Sequence, residues 1–393
     1  MTAPSPRRRL VVTAAAALAA ALALPAAQAQ SGPIKIGVIL PMTGPQATTG
    51  KEIEGAVKLW MQQTGGKVAG RQVEVLIKDD GSVPDNTRRL AQELIVNDKV
   101  VAIAGFGITP SALAAAPVAT QGKTPLVVMA AATSSITEAS PFVVRTSFTL
   151  PQVSVGLADW AVKNGIKSVV TLVADYGPGI DAEKYFAERF LLGQGKVIDK
   201  LRTPLRSPDF SPVLQKVRDA KPDALFVFLP SGQGAQFMKQ FKERGLDQAG
   251  IRLIATGDVT DDDLLDDIGD AALGVVTSHH YSAAHDSPAN KKFVAEFMAL
   301  NKFRPNFMAV GGYDGMRVIF NALEATKGAG GEALLAAMKG QVFESPRGPV
   351  YIDAQTRDIV QDVYIRKVEK KDGQLWNVEF ATIKQVKDPG KSK

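Results

Sequence analysis

Residues 124–137, TPLVVMAAATSSIT, change character half-way along. Leu126, Val127, Val128 and Met129 are apolar and partly β-branched, whereas Ala130 to Ser135 are small or hydroxylic. The first half reads as a buried strand. The second reads as a loop with free amides and hydroxyls, placed where the strand ends. The same succession recurs along the chain. Ile34–Leu40 (IKIGVIL), 73–78, 100–105 and 142–146 are further strand candidates, and 51–63 and 84–97 have helical spacing. Thr109-Pro110-Ser111 is a helix start, with Thr as N-cap and Pro in the first turn. A second block follows, with strands at 168–174, 197–201, 224–229, 252–255 and 273–281. Its helices are expected at 151–163, 182–192, 209–219 and 234–244, and three more at 288–300, 309–326 and 332–338. Short antiparallel strands are expected over 349–383. Two blocks of alternating strand and helix predict an α/β protein with two doubly wound parallel sheets.

In such folds small molecules bind outside the carboxyl ends of the strands. That directs attention to residues 41–45, 105–111, 130–135, 175–179 and 257–258. A carboxylate is well held by backbone N–H groups at a helix N-terminus with hydroxyl help, which nominates Thr109 and Thr133. Each has a plainer alternative: Thr109 could cap only its own helix, and Thr133 could be an ordinary loop residue. Asp258, after a strand and a glycine, could accept from an ammonium group, or could cap a helix over 261–268. Tyr176 could cover a solute with its ring, or could lie on the surface. The acid run Asp261, Asp262, Asp263, Asp266, Asp267 lacks calcium-loop spacing and suits a first helical turn. His279, His280 and His285 are the only histidines; they read as an ordinary segment between two halves, and no metal is expected.

Composition narrows the function. The 393 residues are enough for about two domains. The formal charge is +6, half of it carried by Arg7, Arg8 and Arg9, and the remainder is scattered, so nucleic acid is not an expected partner. With no cysteine, disulfides, thiol catalysis and thiolate metal sites are excluded. Arg7–Arg9, the apolar run 10–24 and Ala27-Gln28-Ala29 form a signal peptide over residues 1–29. Its apolar run is shorter than the ~20 residues of a membrane span. Arg7-Arg8 is compatible with twin-arginine export. The expected destination is a bacterial periplasm, as a free soluble protein. Enzyme signatures are missing: position 110, where a third dinucleotide-loop glycine would stand, is proline, and no phosphate loop, nucleophile elbow or H-E-x-x-H occurs. Neither an enzyme nor a cofactor is expected.

The chain resembles the leucine/isoleucine/valine-binding protein family, the type I periplasmic solute-binding proteins of branched-chain amino acid ABC transporters. The matching stretches are IKIGVILPMTGPQATTG (34–50), GGKVAGRQVEVLIKDDGSVPD (65–85), AGFGITPSALAAAP (104–117), VVMAAATSSIT (127–137), VADYGPG (173–179) and GGYDGMRVIFNAL (311–323). The resemblance implies two Rossmann-like lobes joined by a three-segment hinge, with crossovers near 146–148, 278–282 and 345–349. Lobe 1 is then 31–146 plus 281–346, lobe 2 is 147–280 plus 347–385, and 386–393 is a disordered tail. It also implies a monomer that binds a small amino acid between the lobes and delivers it to a membrane permease. Thr109 corresponds to a hydroxyl contact with the solute carboxylate, Ala131, Ala132 and Thr133 to the grip on the head group, Tyr176 to an aromatic contact from lobe 2, and Asp258 to the acidic partner of the ammonium. The aromatic residue usual near Pro230-Ser231-Gly232 is missing, which opens the alternative of an aromatic or other small carboxylate, or of a role as the ligand-binding partner of a sensor.

Overall fold

In the computed structural model, residues 32–206 and 209–391 are described, and the following concerns the compact unit that begins at Ile34. The expected signal peptide lies outside the described residues. The first sheet has the order β2-β3-β1-β4-β5-β6, built from β1 (Ile34–Leu40), β2 (Lys67–Val68), β3 (Arg71–Asp79), β4 (Ala102–Gly105), β5 (Leu126–Val128) and β6 (Val143–Arg145). Its strands are parallel except for β2. The opening stretch of the sequence is β5, an interior strand paired on both sides.

The second sheet is larger and mixed. β7 (Ser168–Ala174), β8 (Lys196–Thr203), β9 (Ala224–Phe228), β10 (Arg252–Thr256) and β11 (Val276–His279) run parallel. β12 (Val342–Ser345), β13 (Gly348–Ile352), β14 (Ile359–Lys371) and β15 (Gln374–Val386) extend it with antiparallel pairings. The purely parallel sheets expected from the pattern therefore each carry antiparallel strands along one edge, β2 in the first and β12 to β15 in the second. The tail is not a set of short strands but a hairpin of two 13-residue strands.

Alternation along β7 and β9 explains why both are almost wholly apolar; in β7 only Ser168 and the buried Thr171 are polar. Val169 and Val173 face one core cluster together with Ala224, Phe226 and Phe228. Val170, Leu172, Leu225 and Val227 face the other. Side chains point to opposite faces at every step, so a strand covered on both faces is apolar at nearly every position.

Three local expectations fail for physical reasons. The helix over 261–268 shrinks to Leu265–Ile268, because Asp261, Asp262 and Asp263 turn inward as acceptors. Asp261 takes hydrogen bonds from the Ser231 hydroxyl and the Gly232 amide, Asp262 from Asn377, and Asp263 from Asn306. The helix expected over 84–97 is regular only over Pro84–Gln92 and widens into a π-turn over Glu93–Asn97. The tail beyond 385 is ordered as far as it is described. Val386 ends β15, and a 3₁₀ turn at Pro389–Lys391 is anchored where the Ser134 hydroxyl donates to Asp388 (2.6 Å).

The chain leaves the first sheet at Arg145 and enters the Leu150–Lys163 helix, capped by a Thr149/Gln152 capping box. It returns after His279 to the Pro288–Asn301 and Phe307–Ala325 helices, the second of which packs on the Ala47–Thr64 helix. It enters the second sheet again through β12 and β13. Arg347, fully buried, sits between these passages. Its guanidinium donates to the carbonyls of Thr146 (2.8 Å) and Ser147 (2.9 Å), to Gln361 (2.7 Å) and to Asp314 (2.7 Å). Breaking a buried pair strands the remaining charge. Arg347→Met is expected to lower unfolding free energy by about 3–5 kcal/mol, read from urea unfolding curves; a loss below ~1 kcal/mol would show that the pair is not central to the fold.

Candidate functional site

The carboxyl ends of the two sheets face one another across a small cavity. The first half contributes Gln46, Gly107, Ile108, Thr109, Ala130, Ala131, Ala132 and Met308. The second contributes Tyr176, Pro178, Phe228, Pro230, Ser231 and Asp258, and the first passage between the sheets adds Phe148 and Leu150. The free space is about 20 Å³, of the order that one water needs. Five of the six residues singled out in the sequence line this cavity. Thr133 does not line it; it stands behind Thr109, with their hydroxyl oxygens 2.8 Å apart. Two hydroxyls sharing one hydrogen bond retain one proton between them for an acceptor.

Backbone geometry builds the first-sheet end. Gly105 (φ 107°) and Phe106 (φ 68°) both occupy the left-handed region, which a bulky residue such as phenylalanine rarely adopts. The turn is held by the Phe106 amide on the Ile39 carbonyl (2.9 Å), the Met129 amide on the Gly105 carbonyl (2.8 Å) and the Ala131 amide on the Phe106 carbonyl (3.0 Å). The Ala131 N–H is thus committed within the protein. Among the described residues, the amides of Ala130, Ala132 and Thr133 in this loop have no partner. Arg145, fully buried against Asp358 (2.9 Å), pins the same loop by donating to the Thr133 carbonyl (2.7 Å) and to the Phe148 carbonyl (3.1 Å). Thr109 is the first residue of its helix rather than its cap, and Ile108 occupies the cap position without a side-chain bond. The Thr109 hydroxyl is therefore turned to Thr133 and the cavity.

The second-sheet end is aromatic and acidic. Tyr176 precedes the Gly177–Leu192 helix, and its ring stacks on Phe228 at 6.1 Å. Phe228, two residues before Pro230, supplies a ring near the position where the sequence lacked one. Asp258 lies in a 3₁₀ turn (Gly257–Thr260) and does not cap the following helix. Burial pushes its carboxyl up to about 7, against the lowering effects of the Thr256 hydroxyl and the Arg366 charge. Burial, and then the Asp258 charge, raise the Tyr176 phenol. No Lys or Arg lines the cavity. Ser231 reaches it, but its hydroxyl proton is given to Asp261 (2.6 Å).

Sequence patterns did not mark Phe148, Leu150, Phe228, Met308 or Arg145 as parts of this site. Phe148 and Leu150 lie in a crossover, and only the tertiary fold turns them inward. Phe228 looked like one more residue of a buried strand. Its position at the carboxyl end of that strand was the available signal.

Residues 33–374 match the periplasmic binding protein family. The chain belongs to that family. A solute binding protein of an ABC transporter from Rhodopseudomonas palustris BisB5, solved in complex with 3,4-dihydroxy benzoic acid, is 61% identical. It superimposes with a TM-score of 0.90 over 92% of this chain and 99% of that one. An R. palustris ABC-transporter solute binding protein in complex with 4-hydroxybenzoate is 44% identical, with a TM-score of 0.88 over 91% of this chain and 99% of that one. The Leu/Ile/Val-binding protein homolog 6 of Brucella abortus is 44% identical over 94% of this chain and 97% of its own length. This member of the family is a solute-binding protein of the ABC-transporter type with the type I fold, as the sequence resemblance implies, and the family is one of binding proteins rather than enzymes. Among the described residues no helix is long and apolar enough to cross a membrane.

Close contact across the cavity mouth generates a prediction. A Cβ on Gly177 would lie 2.6 Å from the Thr133 hydroxyl oxygen and 3.4 Å from Thr109 Cγ2. Gly177→Ala is expected to hold the two ends apart and weaken every solute by about tenfold or more, measured by calorimetry, with the thermal midpoint of the solute-free protein little changed. Undiminished affinity would mean that the two ends need not approach this closely.

Proposed function

We propose that this protein captures a small hydroxylated aromatic carboxylate in the periplasm and presents it, enclosed, to an ABC permease. The two sheets with their helices act as lobes that close on the solute, near 31–146 plus 281–346 and 147–280 plus 347–385 except that β12 (Val342–Ser345) pairs into the second sheet. The observation that carries the choice of solute is a cavity walled by Phe148, Phe228, Tyr176, Leu150 and Met308 that ends on a buried acid. The solute carboxylate meets the Thr109 hydroxyl and the amides of Ala132 and Thr133. The ring lies between the apolar walls, and a ring hydroxyl donates to Asp258. The two R. palustris relatives solved with hydroxybenzoates support this reading. Closure removes water and strengthens each of these hydrogen bonds. No bond is made or broken. Residues 1–29 serve as the export signal, and the mature protein is released into the periplasm.

A branched-chain or related amino acid is the second reading. Asp258 could neutralise its ammonium group, and the Brucella relatives are called Leu/Ile/Val-binding homologues. pH separates the two. An aromatic acid brings a negative charge towards Asp258, so its affinity is greatest where Asp258 is protonated and falls as pH rises through about 7. An amino acid needs Asp258 ionised, so its affinity rises over the same range and is lost below it. Calorimetric titrations of 4-hydroxybenzoate and L-leucine from about pH 5.5 to 8.5 are expected to give the falling profile, up to about tenfold per unit, with weak or no leucine binding. Tight leucine binding with a rising profile would replace the first reading by the second. Asp258→Ala adds an independent check: it should abolish amino-acid binding but spare unsubstituted benzoate.

A further inference from the structure

Directly behind Asp258 lie two fully buried histidines that the account above does not use. His279 ends β11, and its Nε2 is 3.7 Å from Asp258 Oδ2. Neither of these two atoms has another partner. The other ring nitrogen of His279, Nδ1, receives the backbone N–H of His280 (3.0 Å) and lies 2.8 Å from His280 Nδ1. An Nδ1 that accepts an amide proton cannot itself carry one, so the neutral ring holds its proton on Nε2. His280 then carries its own proton on Nδ1 and donates it to His279. The His279 ring packs against Phe307 (4.1 Å) and Phe148 (4.7 Å), which also touch each other (5.7 Å). Gly257 closes in on the same ring: a Cβ there would lie 2.1 Å from His279 Cδ2 and 2.1 Å from Arg366 Nη2. Burial, reinforced by the charges of Arg366 and Arg347, keeps His279 neutral. Arg366, His279, Asp261, the Thr256 hydroxyl and the Tyr176 phenol act on Asp258.

We infer that His279 is a positioning residue whose Nε2–H, fixed in that tautomer by the His280 amide, holds one oxygen of Asp258 and so presents the other to a donor group on the solute. The inference rests on reading the cavity as the solute site, but not on which solute fills it. The gap of 3.7 Å is about 0.5 Å beyond a made hydrogen bond, and a small rotation of the carboxylate closes it. An acceptor held in this way selects for solutes that carry a hydroxyl or ammonium donor, because a solute without one leaves the buried acceptor unpaired.

Two measurements test this on the mature protein. In ¹⁵N-histidine NMR, His279 is expected as the Nε2–H tautomer from about pH 5.5 to 8.5, with an Nε2 signal that moves in Asp258→Ala. An Nδ1–H tautomer, or a signal indifferent to Asp258, overturns the inference without any solute present. In binding, His279→Phe keeps a ring packed on Phe148 and Phe307 but removes the donor. It is expected to weaken 4-hydroxybenzoate by at least about tenfold more than benzoate, and His279→Gln, which restores a donor, should recover part of that ratio. Equal losses for both acids would make His279 a packing residue only. If the wild type takes L-leucine instead of the aromatic acids, the same ratio is read from L-leucine against 4-methylpentanoate. Failure of the aromatic reading is thus seen in the wild type, and failure of this one in the tautomer and the ratio.

Discussion

The buried ion pair of Arg347 and Asp314 holds the passages between the two sheets in register. Removing a guanidinium from water costs several kcal/mol, and only a near-complete set of acceptors offsets that cost. Arg347 finds them on the chain leaving the first sheet (Thr146 and Ser147), on the Phe307–Ala325 helix (Val310 and Asp314) and on Gln361 of β14. Crossover carbonyls that belong to no ladder need partners when buried, and here one side chain serves several of them. The same residue ties together the segments that pass between the two sheets.

The cavity divides its tasks by sheet. The first sheet supplies hydrogen-bond donors without charge: a shared hydroxyl proton on Thr109 and Thr133, and backbone amides left over at a strained turn. These suit any carboxylate and distinguish little between solutes. The second supplies rings and one buried acid, where shape and donor placement decide what fits. Arg145 and Arg366 stand behind the two ends without entering the cavity, so positive charge stands near the cavity but does not line it.

Much of this was legible from sequence because the fold rule is local. An apolar β-branched run followed by small polar residues marks a strand and its carboxyl end, and two blocks of such runs place those ends opposite each other. The places of Thr109, Tyr176 and Asp258 at strand ends were read that way. What remained hidden depends on contacts between residues far apart in sequence. Nothing near Arg347 or Phe148 announces a buried role, since their partners lie up to 201 residues away. The acid run at 261–263 looked helical until Ser231, Asn377 and Asn306 provided donors for it. Counting free amides also needs the fold: the sequence could not tell that Phe106 takes the N–H of Ala131.

The free space of about 20 Å³ between the cavity walls also sets a clock. A solute larger than a water does not fit that space as it stands, so the halves must separate for one to enter or leave. Residence time is then governed by how often the hinge opens rather than by the strength of any one hydrogen bond. A permease that grips both halves and draws them apart would release its cargo on demand, with no change to the chemistry that holds it.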